Sequence, residues 1–201
     1  MTAIVDYNTG NIRSVTNALR RLRADDITVT SDKVLIRRAD HVILPGVGNA
    51  SLAMEELRRR GLDTFIPTLT QPVLGICIGA QLMCRWSEEG DTPCMGIFAT
   101  DVKRFPPQMN QPGSEPLKVP EMGWNQITSL RSPLFADIAD GNFVYYVHSF
   151  FPVLCPEAIA VSEYGIAFSA ALRNGNFFGT QFHPEKSGDV GEQILRNFLR
   201  L

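Results

Sequence analysis

The sequence is short of metal-binding material. It has four cysteines, Cys77, Cys84, Cys94 and Cys155, but no C-x-x-C pair, and only three histidines, His41, His148 and His183, so no zinc spacing can be assembled. No segment reads as a Walker A loop, and Gly46-Val47-Gly48-Asn49-Ala50-Ser51 misses the dinucleotide fingerprint by a serine at its third glycine. Neither a metal nor a cofactor is expected. Charge of one sign is lacking as well: a formal net charge of -2 provides no attraction for nucleic acid or an anionic membrane. No apolar run is long enough to cross a bilayer, and "MTAIVDY" meets Asp6 too early for a secretory signal. Free thiols in such a chain are expected in a reducing cytoplasm.

What is present suits one globular domain, residues 1–201, at 44% hydrophobic and 20% charged. "AIVDY", "HVILPG" and "PVLGICIG" read as buried strands. Each is followed by a helix signal: "IRSVTNALRRL", "SLAMEELRRRGL" and "AQLMCRWSEE". This alternation predicts an α/β fold with a central, mainly parallel sheet flanked by helices. After about residue 95 come short aromatic or β-branched runs, "MGWNQI", "NFVYYVHSFF", "AIAVSEY", "FSAALRN" and "FFGTQFH", which predict short antiparallel strands. "VGEQILRNFLRL" closes with a helix, and the Pro-rich "FPPQMNQPGSEPLKVP" reads as a surface loop.

The chemistry gathers in three segments. In "LGICIGAQ", Gly75-Ile76-Cys77-Ile78-Gly79 matches the nucleophile elbow G-x-S-x-G with cysteine in place of serine. The glycines leave room for a cramped strand-to-helix turn, and the helix N-terminus favours thiolate. In "GTQFHPEKSG", Pro184 is expected to hold His183 extended, so that His183 and Glu185 share a face. Taken singly, Cys77 is as well read as a core cysteine and His-Pro-Glu as a surface turn. Together they supply nucleophile, base and orienter. "LPGVGNAS" offers backbone N–H groups which, with that of Ile78, would hold an oxyanion.

These segments resemble the class I (triad) glutamine amidotransferases, whose fold is flavodoxin-like. More narrowly, "DYNTGNIRSV", "LPGVG", "GICIGAQLM", "MGWN", "YYVHSFF" and "QFHPEKSG" are similar to the HisH family, the glutaminase subunits of imidazole glycerol phosphate synthase. The resemblance spans essentially the whole chain. Around the elbow glycine, Ile78 and Ala80 stand where the family more often has leucine and methionine; both are apolar swaps that keep the backbone donors.

The resemblance implies hydrolysis of L-glutamine to glutamate and ammonia. The ammonia would pass to a (β/α)₈-barrel cyclase, HisF, in a heterodimer that makes imidazole glycerol phosphate and aminoimidazole carboxamide ribotide for histidine synthesis. It also implies Cys77, His183 and Glu185 as triad, with Val47 and Ile78 as oxyanion donors. Gly46, Gly48, Gln81, Glu89, Ser149 and Phe150 would meet glutamine, with Glu88-Glu89 read as lying at a helix C-terminus. Asn11, Arg13 and Trp124 would lie at the partner face. The Gly-Val-Gly turn is expected to hold its peptide planes in two orientations, leaving the unpartnered subunit nearly inactive.

Two other classes remain in play. A thiol hydrolase of the α/β-hydrolase type would order its triad nucleophile, acid, histidine, whereas Glu185 here follows His183. A scaffold with a relic triad would have lost one of the three positions. The nearest alternative within the family is the glutaminase of pyridoxal phosphate or anthranilate synthesis.

Overall fold

The computed structural model describes residues 1–8, 11–24, 26–107 and 117–201. Thr9 and Gly10 of the first turn and most of the Pro-rich segment therefore lie outside the described residues. In chain order the strands are β1 (Thr2–Val5), β2 (Ile27–Thr30), β3 (His41–Leu44), β4 (Val73–Ile76), β5 (Trp86–Ser87), β6 (Thr92–Pro93), β7 (Asp101–Arg104), β8 (Glu121–Ile127), β9 (Asn142–His148), β10 (Phe150–Pro152), β11 (Ala158–Glu163), β12 (Ala167–Asn174) and β13 (Phe177–Thr180). The α-helices are α1 (Ile12–Arg21), α2 (Lys33–Arg38), α3 (Ala50–Arg59), α4 (Ile78–Leu82) and α5 (Gly188–Phe198).

The central sheet has seven strands in the order β11-β12-β13-β4-β3-β1-β2. From β13 to β2 every pairing is parallel, while β11, β12 and β13 pair antiparallel. The apolar runs that predicted β1, β3 and β4 are the strands buried on both faces, as parallel sheets require. β2 and α2 went unread: β2 is an edge strand whose residues are largely half-buried, and α2 is only six residues long. A four-stranded sheet, β10-β7-β5-β6, and the two-stranded β8-β9 ribbon complete the second half. Among the described residues, no helix is long and apolar enough to cross a membrane.

Helices cover the sheet by the stripes their sequences carry. α1 buries Val15, Ala18 and Leu19; α3 buries Ala50, Ala53, Met54 and Leu57; α5 buries Ile194, Leu195 and Phe198. α3 starts sharply because the Asn49 side chain accepts from the N–H groups of Ser51 and Leu52, a cap worth about 1 kcal/mol. The expected third helix is cut short. α4 ends at Leu82 because the chain turns away to pair: Arg85 N–H donates to the Thr100 carbonyl at 2.9 Å and Gly96 N–H to the Cys84 carbonyl at 2.8 Å. Glu88-Glu89 accordingly lie in the turn between β5 and β6 and not at a helix C-terminus.

The parallel strands bring their carboxyl ends to one edge, where ligands of open α/β sheets bind. Register makes this specific, with Gly75 of β4 opposite Leu44 of β3 and Ile76 opposite Thr180 of β13. The loops after β3, β4 and β13 thus emerge side by side. Close packing at this edge depends on Gly79, since a Cβ there would collide with the Leu44 carbonyl oxygen, a backbone atom that cannot rotate aside. Gly79→Ala should therefore cost about 3 kcal/mol. Urea denaturation of the purified variant would show it, and an unchanged midpoint would overturn this account of the packing.

Candidate active site

The site grows out of one turn. β4 ends at Ile76, and the next residue, Cys77, takes φ 52° and ψ -112° before α4 begins. Such a conformation costs a non-glycine residue about 1–3 kcal/mol and persists only where both flanks are held. Here they are held. Cys77 N–H donates to the Thr180 carbonyl at 2.7 Å, and the N–H groups of Ala80 and Gln81 fold back onto the Cys77 carbonyl at 3.0 and 3.1 Å. Gly75 is required on the near side, because a Cβ there would stand 2.7 Å from the Ala80 nitrogen. The elbow read from the sequence is present, with the thiol at the start of α4 and the Ile78 N–H among the amides that helix cannot satisfy itself.

His183 reaches the same edge from the segment after β13. Its N–H donates to the Tyr145 carbonyl at 2.9 Å and its Nδ1 lies 2.8 Å from Glu185 Oε1, both side chains being essentially inaccessible. The route differs from the one expected. His183 is extended, but Pro184–Lys186 forms a 3₁₀ turn, so Glu185 meets the ring by folding back and not by strand alternation. Proline at the first position of that turn suits its fixed φ. With Nδ1 donating to the carboxylate, Nε2 is the other face of the imidazole, and it has no hydrogen-bond partner among the described residues. Burial alone would favour the neutral ring. The Cys77 sulfur and the Glu185 carboxylate outweigh it and raise the His183 pKa to about 10. Asn11, expected at a partner face, donates its Nδ2 to Glu185 Oε1 at 3.2 Å and so steadies the acid.

Cys77, Ile78, His183, Val47 and Gly48 line one cavity of about 320 Å³, joined by Gln81, Glu89, Ser149 and Phe150. Gly46 does not line it. It packs beneath the elbow, where a Cβ would strike Ile78 and the Gly79 nitrogen. Gly48 has φ 100°, a conformation that favours glycine, and Tyr7 Oη donates to the Pro45 carbonyl at 2.5 Å, anchoring the start of that turn. Glu89 accepts from Ala50 N–H at 2.7 Å, at the amino end of α3. The Phe150 carbonyl is already engaged, accepting from His148 Nδ1 at 2.8 Å and from Gln81 Nε2 at 2.9 Å. Gln81 Nε2 also donates to Gln181 Oε1 at 2.8 Å, and its own buried Oε1 has no partner among the described residues. Arg13 is exposed on α1, and Trp124 is exposed on β8 beside Tyr145.

Sequence reasoning passed over two buried residues of this edge, Glu121 and Gln181, and weighed His148 as a structural histidine. His148 Nε2 lies 2.8 Å from Glu121 Oε2, and Gln181 Nε2 lies 3.7 Å from Cys77 Sγ. The one available signal was position, since Gln181 stands two residues before His183. The other thiols are unlike Cys77 in setting. Burial pushes the Cys84 thiol well up and lifts that of Cys94 to about 12, so both hold their protons at neutral pH, while Cys155 is half-buried.

A family model, glutamine amidotransferase class-I, matches residues 3–201. The chain belongs to the class I glutamine amidotransferases. Within the family it is similar to the imidazole glycerol phosphate synthase subunit HisH of Bacteroides fragilis, at 53% identity over 99% of this chain and 98% of that one. HisH of Dechloromonas aromatica is 42% identical over 98% of this chain and 94% of its own. Solved structures share the amidotransferase fold. A glutamine amidotransferase superposes with TM-score 0.71 at 19% identity, covering 98% of this chain and 97% of that one. PurLQS of Thermotoga maritima superposes with TM-score 0.68 at 17% identity, covering 99% and 97%.

The raised His183 pKa has a definite sign. Relative to an ordinary value of 6.5, the folded amidotransferase holds this proton more tightly than the unfolded chain does. The stability it contributes is complete below pH 6.5 and is lost as pH rises through about 10. Cys77 is the foremost partner raising the value, so in Cys77→Ala the His183 titration should move down toward the ordinary range. NMR titration of the labelled imidazole measures this, and an unmoved midpoint would show that the sulfur does not face the ring.

Proposed function

We propose that residues 1–201 form one amidotransferase domain that hydrolyses L-glutamine, as the glutaminase subunit of an imidazole glycerol phosphate synthase in histidine biosynthesis. The observation that carries this is the strained Cys77 elbow opening beside a buried His183–Glu185 pair in a pocket of amino-acid size. The similarity to HisH over nearly all of both chains selects this synthase over pyridoxal phosphate or anthranilate synthesis.

The chemistry follows from the placement of the groups. The Cys77 thiolate adds to the carboxamide carbon of glutamine, forming a C–S bond and an oxyanion that the Val47 and Ile78 N–H groups receive. His183 gives its Nε2 proton to the departing nitrogen, the C–N bond breaks, and ammonia leaves a glutamyl thioester. His183 then takes a proton from water as its oxygen adds to the carbonyl, and collapse breaks the C–S bond to release glutamate. Glu185 holds the ring in the tautomer that keeps Nε2 toward the sulfur. Gln81 Oε1, Glu89, Gly48, Ser149 and Phe150 surround the amino-acid end of the substrate. Gly46 acts by shaping the turn.

Ammonia passes to a cyclase partner. The HisH name of the relatives implies such a subunit, and we take it to be HisF, a (β/α)₈ barrel, meeting this chain across Trp124, Arg13 and the neighbourhood of Asn11. Four unbridged cysteines suit a reducing cytoplasm. Flexibility of the Gly46-Val47-Gly48 turn provides a switch: with the Val47 N–H turned away, one oxyanion donor is lost, worth about 10²–10³ in rate.

Cys77→Ala should abolish glutaminase turnover while the fold and cyclase binding persist, and residual turnover would remove Cys77 from its role. Glu185→Gln should lose less, because it disturbs orientation and removes no reacting atom. Steady-state turnover should rise by at least about 10² when cyclase and its nucleotide ligand are added. Equal turnover with and without the cyclase would overturn the switch.

A further inference from the structure

We propose that Gln181 is a further catalytic residue, whose side-chain N–H donates to Cys77 Sγ and holds the sulfur as the attacking anion. The inference rests on the reading of Cys77 as nucleophile. It begins from register: Thr180 lies opposite Ile76, so the next residue on each strand, Gln181 and Cys77, emerges at the same point. Gln181 is buried, its backbone N–H donates to the Ala170 carbonyl at 2.8 Å, and its Nε2 stands 3.7 Å from Cys77 Sγ.

The direction of this amide is set by its neighbours. A backbone carbonyl can only accept, so the end of Gln81 facing the Phe150 carbonyl at 2.9 Å must be its nitrogen. The second N–H of that nitrogen meets Gln181 at 2.8 Å, which must therefore present its oxygen. The Gln181 nitrogen is left facing the sulfur. The same Phe150 carbonyl accepts from His148 Nδ1 at 2.8 Å, and His148 Nε2 faces Glu121 Oε2 at 2.8 Å. The donors thus run one way from Gln81 through Gln181 to the sulfur, and the Phe150 carbonyl, accepting from both His148 and Gln81, holds Gln81 in that direction.

An amide N–H aimed at sulfur favours the charged form, since a thiolate accepts strongly and a thiol weakly. Its action complements that of His183. The imidazolium charge is spent when the proton passes to ammonia, whereas the Gln181 dipole is unchanged and remains for the second half-reaction, in which the thiolate is the leaving group. The titratable groups that line the cavity with Cys77 are His183, His148 and Glu89, with Glu185 bonded to His183 Nδ1.

The test is the pH profile of iodoacetamide alkylation at Cys77 in the full chain, mapped by peptide mass spectrometry. Gln181→Met removes the donor at similar volume, and Gln181→Glu replaces it with an acceptor of the same shape. The midpoint of the profile should rise by about one unit in Gln181→Met, a roughly tenfold slower reaction at pH 7, and further in Gln181→Glu. With cyclase bound, kcat should fall and KM change little. Gln81→Met leaves Gln181 in place but frees its amide to turn, and should raise the midpoint by less; it decides the matter if the Gln181 variants do not fold. Profiles in folded variants that coincide with the wild type would overturn the role of Gln181. If Cys77 alkylation leaves wild-type glutaminase activity intact, the nucleophile reading itself fails, and this inference falls with it.

Discussion

The hydrogen bond from Cys77 N–H to the Thr180 carbonyl is the constraint on which the site depends. It is the last link between β4 and β13 and ties together two segments a hundred residues apart in sequence. On one side of it the chain must reverse into α4 at once, which forces Cys77 to positive φ and demands glycine where backbones nearly touch. On the other side the chain runs on through Gln181 to His183. A slip of the pairing by one residue would turn the side chains to the opposite face and separate sulfur from imidazole.

Around that link the charges are arranged in depth. Glu185 is held by Asn11, the residue just before α1, as well as by the ring, so the first strand–helix unit of the fold also supports the His183–Glu185 pair. Two residues lining the pocket carry buried atoms with no hydrogen-bond partner among the described residues, His183 Nε2 and Gln81 Oε1. Leaving buried polar atoms unsatisfied costs free energy and is seldom accidental.

The parallel half of the fold was legible because strands buried on both faces write continuous apolar runs, and the elbow was legible because two glycines flank one cysteine. Three features were not. β2 is an edge strand with few buried residues and gives no run. The helix after Cys77 was read too long because its apolar spacing continues past Leu82, where cross-chain hydrogen bonds from Arg85 and Gly96 override local preference. Gln181 carried no motif of its own; its meaning lies in the β4–β13 register, which local sequence does not encode. The His183–Glu185 contact was anticipated correctly but for the wrong geometry, since proline begins a 3₁₀ turn as readily as it extends a strand.

The setting from which we infer a nucleophile at Cys77 would also make that thiol a point of oxidative failure. Peroxide reacts with thiolates, and a sulfenic acid formed beside an imidazolium can no longer add to a carboxamide. Cys84 and Cys94, whose protons burial holds in place, are spared. Oxidation there would halt the hydrolysis proposed for this site, and at the sulfenic stage cellular thiols can reverse it.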